Sequence, residues 1–124
     1  MIAVEAREQV LRAAARLVEE RLIARTWGNI SARVSDTEFL ITPSGLAYET
    51  LRPDQLVLVS IADGTWEGDV KPSSERGIHA DAYRLRPEVG FIIHTHQYWA
   101  SVAGVEGRAL TGFTHPLLGK RVPC

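Results

Sequence analysis

His94 and His96 stand one residue apart at the end of an apolar run, Phe91-Ile92-Ile93. Side chains two positions apart on a strand project from the same face. Two imidazoles so placed can share one metal ion at the strand's end, although the same spacing suits two polar residues where a buried strand surfaces. Upstream, Lys71-Pro72-Ser73-Ser74-Glu75 reads as a helix start. Its unpaired N–H groups and positive dipole end can hold a phosphate or carboxylate, with two serine hydroxyls adding hydrogen bonds. Glu75 then follows where a carboxylate can ligate a metal or move a proton. An ordinary helix cap accounts for the same three residues. Gly28-Asn29-Ile30-Ser31 and Pro43-Ser44-Gly45 are small-residue turns, either plain or shaped to let backbone approach a ligand.

The elements that must position these residues can be read from periodicity. Leu11, Ala14, Val18 and Leu22 recur every three or four residues and predict an amphipathic helix over the first 24 residues. Thr26-Trp27-Gly28-Asn29 breaks it. Ile30–Val34 and Glu38–Thr42 read as strands joined through Ser35-Asp36-Thr37 as a hairpin, and Leu56–Ile61 as a third strand. The helix opened by Pro72-Ser73-Ser74-Glu75 continues through an apolar stripe of Ile78, Ala82 and Leu85 and stops before Pro87. Val89–His94 is a further strand, and residues 97–103 a short helix stopped by Gly104. Helix, strands, helix, strand, helix indicates a layered α/β or α+β domain rather than a bundle or sandwich.

A chain of 124 residues is one domain's worth, with no repeat, linker or low-complexity tract. Hydrophobic residues make up 45%, charged residues 23%, and net charge is −1, ordinary values for a globular protein. Lys and Arg are scattered, so no nucleic-acid footprint is expected. No apolar run reaches the roughly 20 residues of a membrane span, and the amino terminus lacks a signal peptide's apolar stretch. The single cysteine, Cys124, cannot build a disulfide framework. A cytoplasmic protein is expected. Trp27, Trp66 and Trp99 read as packing or interface residues, and Arg84 and Arg86 as a solvated helix end.

Taken together, Gly28-Asn29-Ile30-Ser31-Ala32-Arg33, Ile41-Thr42-Pro43-Ser44-Gly45, Lys71-Pro72-Ser73-Ser74-Glu75 and His94-Thr95-His96 resemble the class II aldolase/adducin family, in order and approximate spacing. The resemblance covers about residues 5–124 and corresponds to the N-terminal portion of that family's domain. It implies a three-layer α/β/α fold around a central, largely antiparallel sheet. It further implies that Asn29, Ser44, Gly45, Ser73 and Ser74 bind a substrate phosphate and that His94 and His96 ligate Zn2+ or another divalent metal. Glu75 would be the general acid/base. The family's epimerase branch carries aspartate where Glu75 stands, so the resemblance leans towards a lyase cleaving a carbon–carbon bond of a small sugar phosphate.

The family draws a third histidine ligand from beyond the paired histidines, and this chain has none in that place; a shortened form of the domain is the expectation. His79 reads as a packing residue of the helix after Glu75. His115 lies near where some relatives place an active-site residue from a neighbouring subunit, or is a loop histidine before Pro116. A homo-oligomer, a tetramer by resemblance, is expected. Two rivals stand beside the aldolase reading. One is an adducin-head-like assembly module or inactive homologue without chemistry; the other is an epimerase, decarboxylase or dehydratase of the same family.

Overall fold

Val10, Ala14 and Leu17 form the buried stripe of the first helix, α1 (Val4–Glu19), in the computed structural model, which describes residues 2–23, 27–95 and 106. Leu11 and Val18 pack at the flanks of that stripe, while Leu22 lies past the helix and is exposed. The helix is shorter than its apolar periodicity suggests because Arg21 turns into the left-handed region at φ 57°. Its N–H then bonds Val18 O at 3.1 Å, and Leu22 N–H reaches back to Leu17 O at 2.9 Å. That pair of bonds closes a helix end.

Four strands follow: β1 (Asn29–Arg33), β2 (Glu38–Ile41), β3 (Val57–Ser60) and β4 (Phe91–His94). They form one antiparallel sheet in the order β3-β2-β1-β4. The β1–β2 hairpin turns at Ser35-Asp36-Thr37 as expected, while two short 3-10 turns, Tyr48–Thr50 and Pro53–Gln55, lead into β3. The strand expected from Val89 is paired as a strand only over its last four residues, so β4 begins at Phe91.

Alternation along the strands divides the core in two. Ile30, Ala32 and Leu40 pack with Val10, Ala14 and Leu17 of α1. Phe39, Ile41, Val57 and Val59 instead pack with Ala80 and Tyr83 of the second helix, α2 (Arg76–Leu85). Fully buried Phe39 and Ile41 each contribute about 1.5–3 kcal/mol through burial.

The buried side of α2 is not the one its apolar residues mark. Ile78 is 63% exposed and Leu85 76%, whereas His79, Ala80 and Tyr83 are buried. Polar partners explain the difference: the strand face that meets this helix carries Asn29, Ser31 and Arg33, so the helix turns its hydrogen-bonding residues towards it. Arg33 then ties the following segment in place. Its guanidinium donates to Val89 O and to Tyr83 O, both at 2.8 Å, and lies 4.7 Å from the Tyr83 ring centroid. The start of β4 is thereby anchored behind the histidine it carries. Among the described residues, no helix is long and apolar enough to cross a membrane. The helix expected over 97–103, His96 and His115 lie outside the described residues.

Candidate active site

Because the strands are antiparallel, the start of β1 and the ends of β2 and β4 fall at the same end of the sheet. The turn entering β1, the turn leaving β2 and the segment before α2 meet there. Ser44 N–H bonds Lys71 O at 2.9 Å, and Ser73 N–H bonds Thr42 O at 3.0 Å. The Pro43 turn and the Lys71–Ser73 segment thus lie side by side. Tyr48 is the clamp beneath: its hydroxyl donates to Gly28 O at 3.1 Å and lies 3.2 Å from Thr42 Oγ1. Burial pushes that phenol above its ordinary value.

A cleft of about 180 Å³ opens between these turns, lined by Trp27, Gly28, Asn29, Pro43, Ser44, Gly45, Ser73, Ser74 and Glu75. The five residues expected around a phosphate therefore share one cleft with Glu75. Ser44, Gly45 and Ser74 are exposed in it, whereas Asn29 and Ser73 are buried. The serines do not cap α2 directly, as the helix begins at Arg76 with Glu75 as its flanking residue. Ser73 Oγ instead accepts the Glu75 backbone N–H at 3.2 Å, and Ser73 O accepts from Arg76 N–H at 3.2 Å. This turn aims Glu75 at the sheet.

Gly28 cannot be any other residue without distortion. Its φ is +90°, and a Cβ there would sit 2.9 Å from the backbone oxygen of His94. That contact brings the β1 entry against the end of β4. Asn29 and His94 are then cross-strand partners, and both side chains reach the same atom. Asn29 Nδ2 donates to Glu75 Oε2, and His94 Nδ1 lies 2.8 Å from that oxygen. An imidazole nitrogen and a carboxylate oxygen this close suit a hydrogen on Nδ1, which a neutral ring can carry, or a shared cation.

Behind Glu75 the polar contacts continue inward. His79 Nε2 is hydrogen-bonded to Asn29 Oδ1, and its Nδ1 lies 2.6 Å from Ser31 Oγ, which lies 2.7 Å from the Tyr83 hydroxyl. His79 is only 1% exposed. Burial, and to a lesser degree the charge of His94, lowers its pKa to about 4, with Glu75 opposing. The ring is neutral at neutral pH. Reading His79 as packing overlooked these polar links, as it did Ser31, Tyr83 and Arg33. The signal was present in the spacing: positions 29, 31 and 33 share one strand face, while 75, 79 and 83 recur every fourth residue.

His94 and Glu75 supply two donors to one point, and no group of three His, Cys, Asp or Glu residues gathers among the described residues. One imidazole and one carboxylate are ligand types that a divalent cation of the zinc type accepts.

Residues 8–124 match the model of the class II aldolase and adducin N-terminal domain. An L-fuculose 1-phosphate aldolase superposes with a TM-score of 0.79 at 28% identity, covering 90% of this chain and 53% of its own. L-fuculose-1-phosphate aldolase from Thermus thermophilus gives a TM-score of 0.69 at 26% identity over 84% of this chain and 52% of its own. YgbL from Escherichia coli, provisionally described as an aldolase/epimerase/decarboxylase, gives 0.72 at 29% identity, over 86% and 49% respectively. The chain thus spans about half the length of these solved structures.

Proposed function

The chain belongs to the class II aldolase and adducin family, and from that membership we propose that its cleft serves a lyase reaction, metal-assisted cleavage of a carbon–carbon bond in a small sugar phosphate. A helix on either side of the antiparallel sheet supports the family's three-layer arrangement. A homo-oligomer is carried over from the family, and a cytoplasmic location from the composition. The observation that carries the functional reading is the meeting of two kinds of group in one cleft. Ser44, Gly45, Ser73 and Ser74 offer hydroxyls and backbone to an anion, and Glu75 and His94 approach each other beside them.

His94 and His96 would hold the cation, with Glu75 next to it. When bound, such an ion supplies positive charge for the oxygen that becomes negative as the bond breaks. The chain's own residues do the rest. The turns fix the phosphate, and binding energy gained there orients carbons that react some distance away. Asn29 donates through one amide hydrogen to Glu75, and an amide nitrogen has a second for a phosphate oxygen. Glu75, partly exposed beside the cleft, moves the proton.

The test is release of triose phosphate from L-fuculose 1-phosphate and a panel of other ketose 1-phosphates. Release by the wild type that Glu75→Gln loses supports the lyase. Zinc binding with no turnover of any member supports the non-catalytic, adducin-like reading. Epimerised product from the panel, or CO2 released from a sugar-acid phosphate assayed beside it, supports the other chemistries, which the description of the Escherichia coli protein keeps open.

A further inference from the structure

The polar contacts between β1 and α2 form an unbroken chain: Tyr83 hydroxyl, Ser31 Oγ, His79 ring, Asn29 amide, Glu75 carboxylate. The direction of each hydrogen bond follows from its ends. An ionised carboxylate only accepts, so Asn29 turns Nδ2 towards Glu75, and its Oδ1 must accept from His79. A neutral imidazole has one donor and one acceptor nitrogen. Nε2 therefore carries the hydrogen, and Nδ1 accepts from the Ser31 hydroxyl. Ser31 Oγ in turn accepts from Tyr83, whose proton stays in place because burial pushes its pKa up to about 12. Every member gives one hydrogen towards Glu75, and each buried group is satisfied without any net charge on the ring. Reversing the order would set Asn29 Oδ1 against the carboxylate oxygen, two acceptors in contact.

We propose that His79 is a positioning residue: as the Nε2–H tautomer, held from behind by Ser31 and Tyr83, it turns the Asn29 amide nitrogen onto Glu75 and fixes the orientation of that carboxylate. Burial of His79 and the continuity of its polar links to Ser31, Tyr83 and Asn29 support this. A plain packing role needs only volume at this position. The proposed role needs a hydrogen at Nε2 and a lone pair at Nδ1. The consequence for turnover rests on the lyase reading above; the tautomer does not.

The two parts are tested separately. Nitrogen-15 NMR of histidine-labelled full chain, loaded with zinc, reports the tautomer directly. A neutral His79 with its hydrogen on Nε2 at pH 7 is the expected result. A hydrogen on Nδ1, or a charged ring, overturns the proposal whether or not the protein turns over any sugar phosphate. Ser31→Ala removes the hydroxyl that holds Nδ1 and should yield a mixture of tautomers; an unchanged single tautomer counts against the hold from behind. With an active wild type, His79→Leu should lower kcat by roughly 10–100-fold, the scale of one or two positioned hydrogen bonds. His79→Gln, whose amide N–H can still reach Asn29, should recover most of the loss. Equal activity of the Leu and Gln variants, both folded by circular dichroism, overturns the positioning role. If His79→Leu does not fold, the kcat of His79→Gln compared with wild type decides, and a fall beyond about tenfold overturns it. A wild type that cleaves nothing refutes the lyase reading, and the tautomer result then decides the proposal.

Discussion

Asn29 and His94 face each other across the β1–β4 ladder, and both side chains end on Oε2 of Glu75. Neither strand alone builds this arrangement. It requires the Gly28 turn to press against His94 O and the Ser73 turn to aim Glu75 inward. The expected outcomes below follow from that junction.

Glu75→Gln keeps the shape of the side chain and removes its ability to take a proton. A fall in kcat of about 10²–10⁴-fold with KM little changed is expected, the usual range for a lost general acid/base. Steady-state kinetics on the active ketose phosphate measures it.

Purified protein should carry about one divalent ion per chain, and His94→Ala combined with His96→Ala should remove it. Elemental analysis after gel filtration reads this directly. Unchanged metal content in the double variant would remove the histidines from the site.

Gly28→Ala and Gly45→Ala separate two costs. Both glycines have positive φ, +90° and +71°, but an added methyl meets His94 O at 2.9 Å at position 28 and nothing within 4 Å at position 45. Gly45→Ala should cost about 1–2 kcal/mol from backbone conformation alone. Gly28→Ala should cost more and should also disturb the His94–Glu75 approach. Urea unfolding of the two variants gives the comparison.

Ser73 and Ser74 should also part company. Ser74 is exposed in the cleft, so Ser74→Ala should raise KM by roughly tenfold, about one hydrogen bond to a phosphate oxygen, with stability unchanged. Ser73 holds the Glu75 backbone N–H. Ser73→Ala should therefore lower kcat as well.

Buried His79 makes stability depend on pH. Its folded pKa of about 4 lies below its ordinary 6.5, so the unfolded chain binds the extra proton first as pH falls. Its effect is absent above pH 6.5, and stability is lost progressively from there down to about pH 4, at roughly 1 kcal/mol per pH unit. Urea midpoints at pH 7, 6 and 5 should fall accordingly, and His79→Gln should flatten the slope over this window.

Much of the fold was legible because the strands alternate cleanly and their turns use Ser-Asp and Pro-Ser-Gly. Three of the four motifs also marked the cleft, since turn chemistry and helix starts are local signals. α2 was harder. Its apolar residues Ile78 and Leu85 point to a buried face that the structure leaves exposed, because the strand opposite offers Asn29, Ser31 and Arg33. Periodicity of one element alone does not reveal what another element presents to it. His79 reads as packing for the same reason: its polar contacts exist only between two elements. The residues beyond Thr95, apart from 106, lie outside the described set, so the readings of His96 and His115 rest on sequence alone.

The seam between β1 and α2 acts as a registration key. Turning the helix by about 100°, one residue's worth, would bury greasy Ile78 but strand the imidazole, the amide and two hydroxyls without partners. Oil alone would accept several rotations of this helix; these matched donors and acceptors accept one. Whatever reaction the carboxylate serves, its aim is thus decided when the helix docks, well before any ligand arrives.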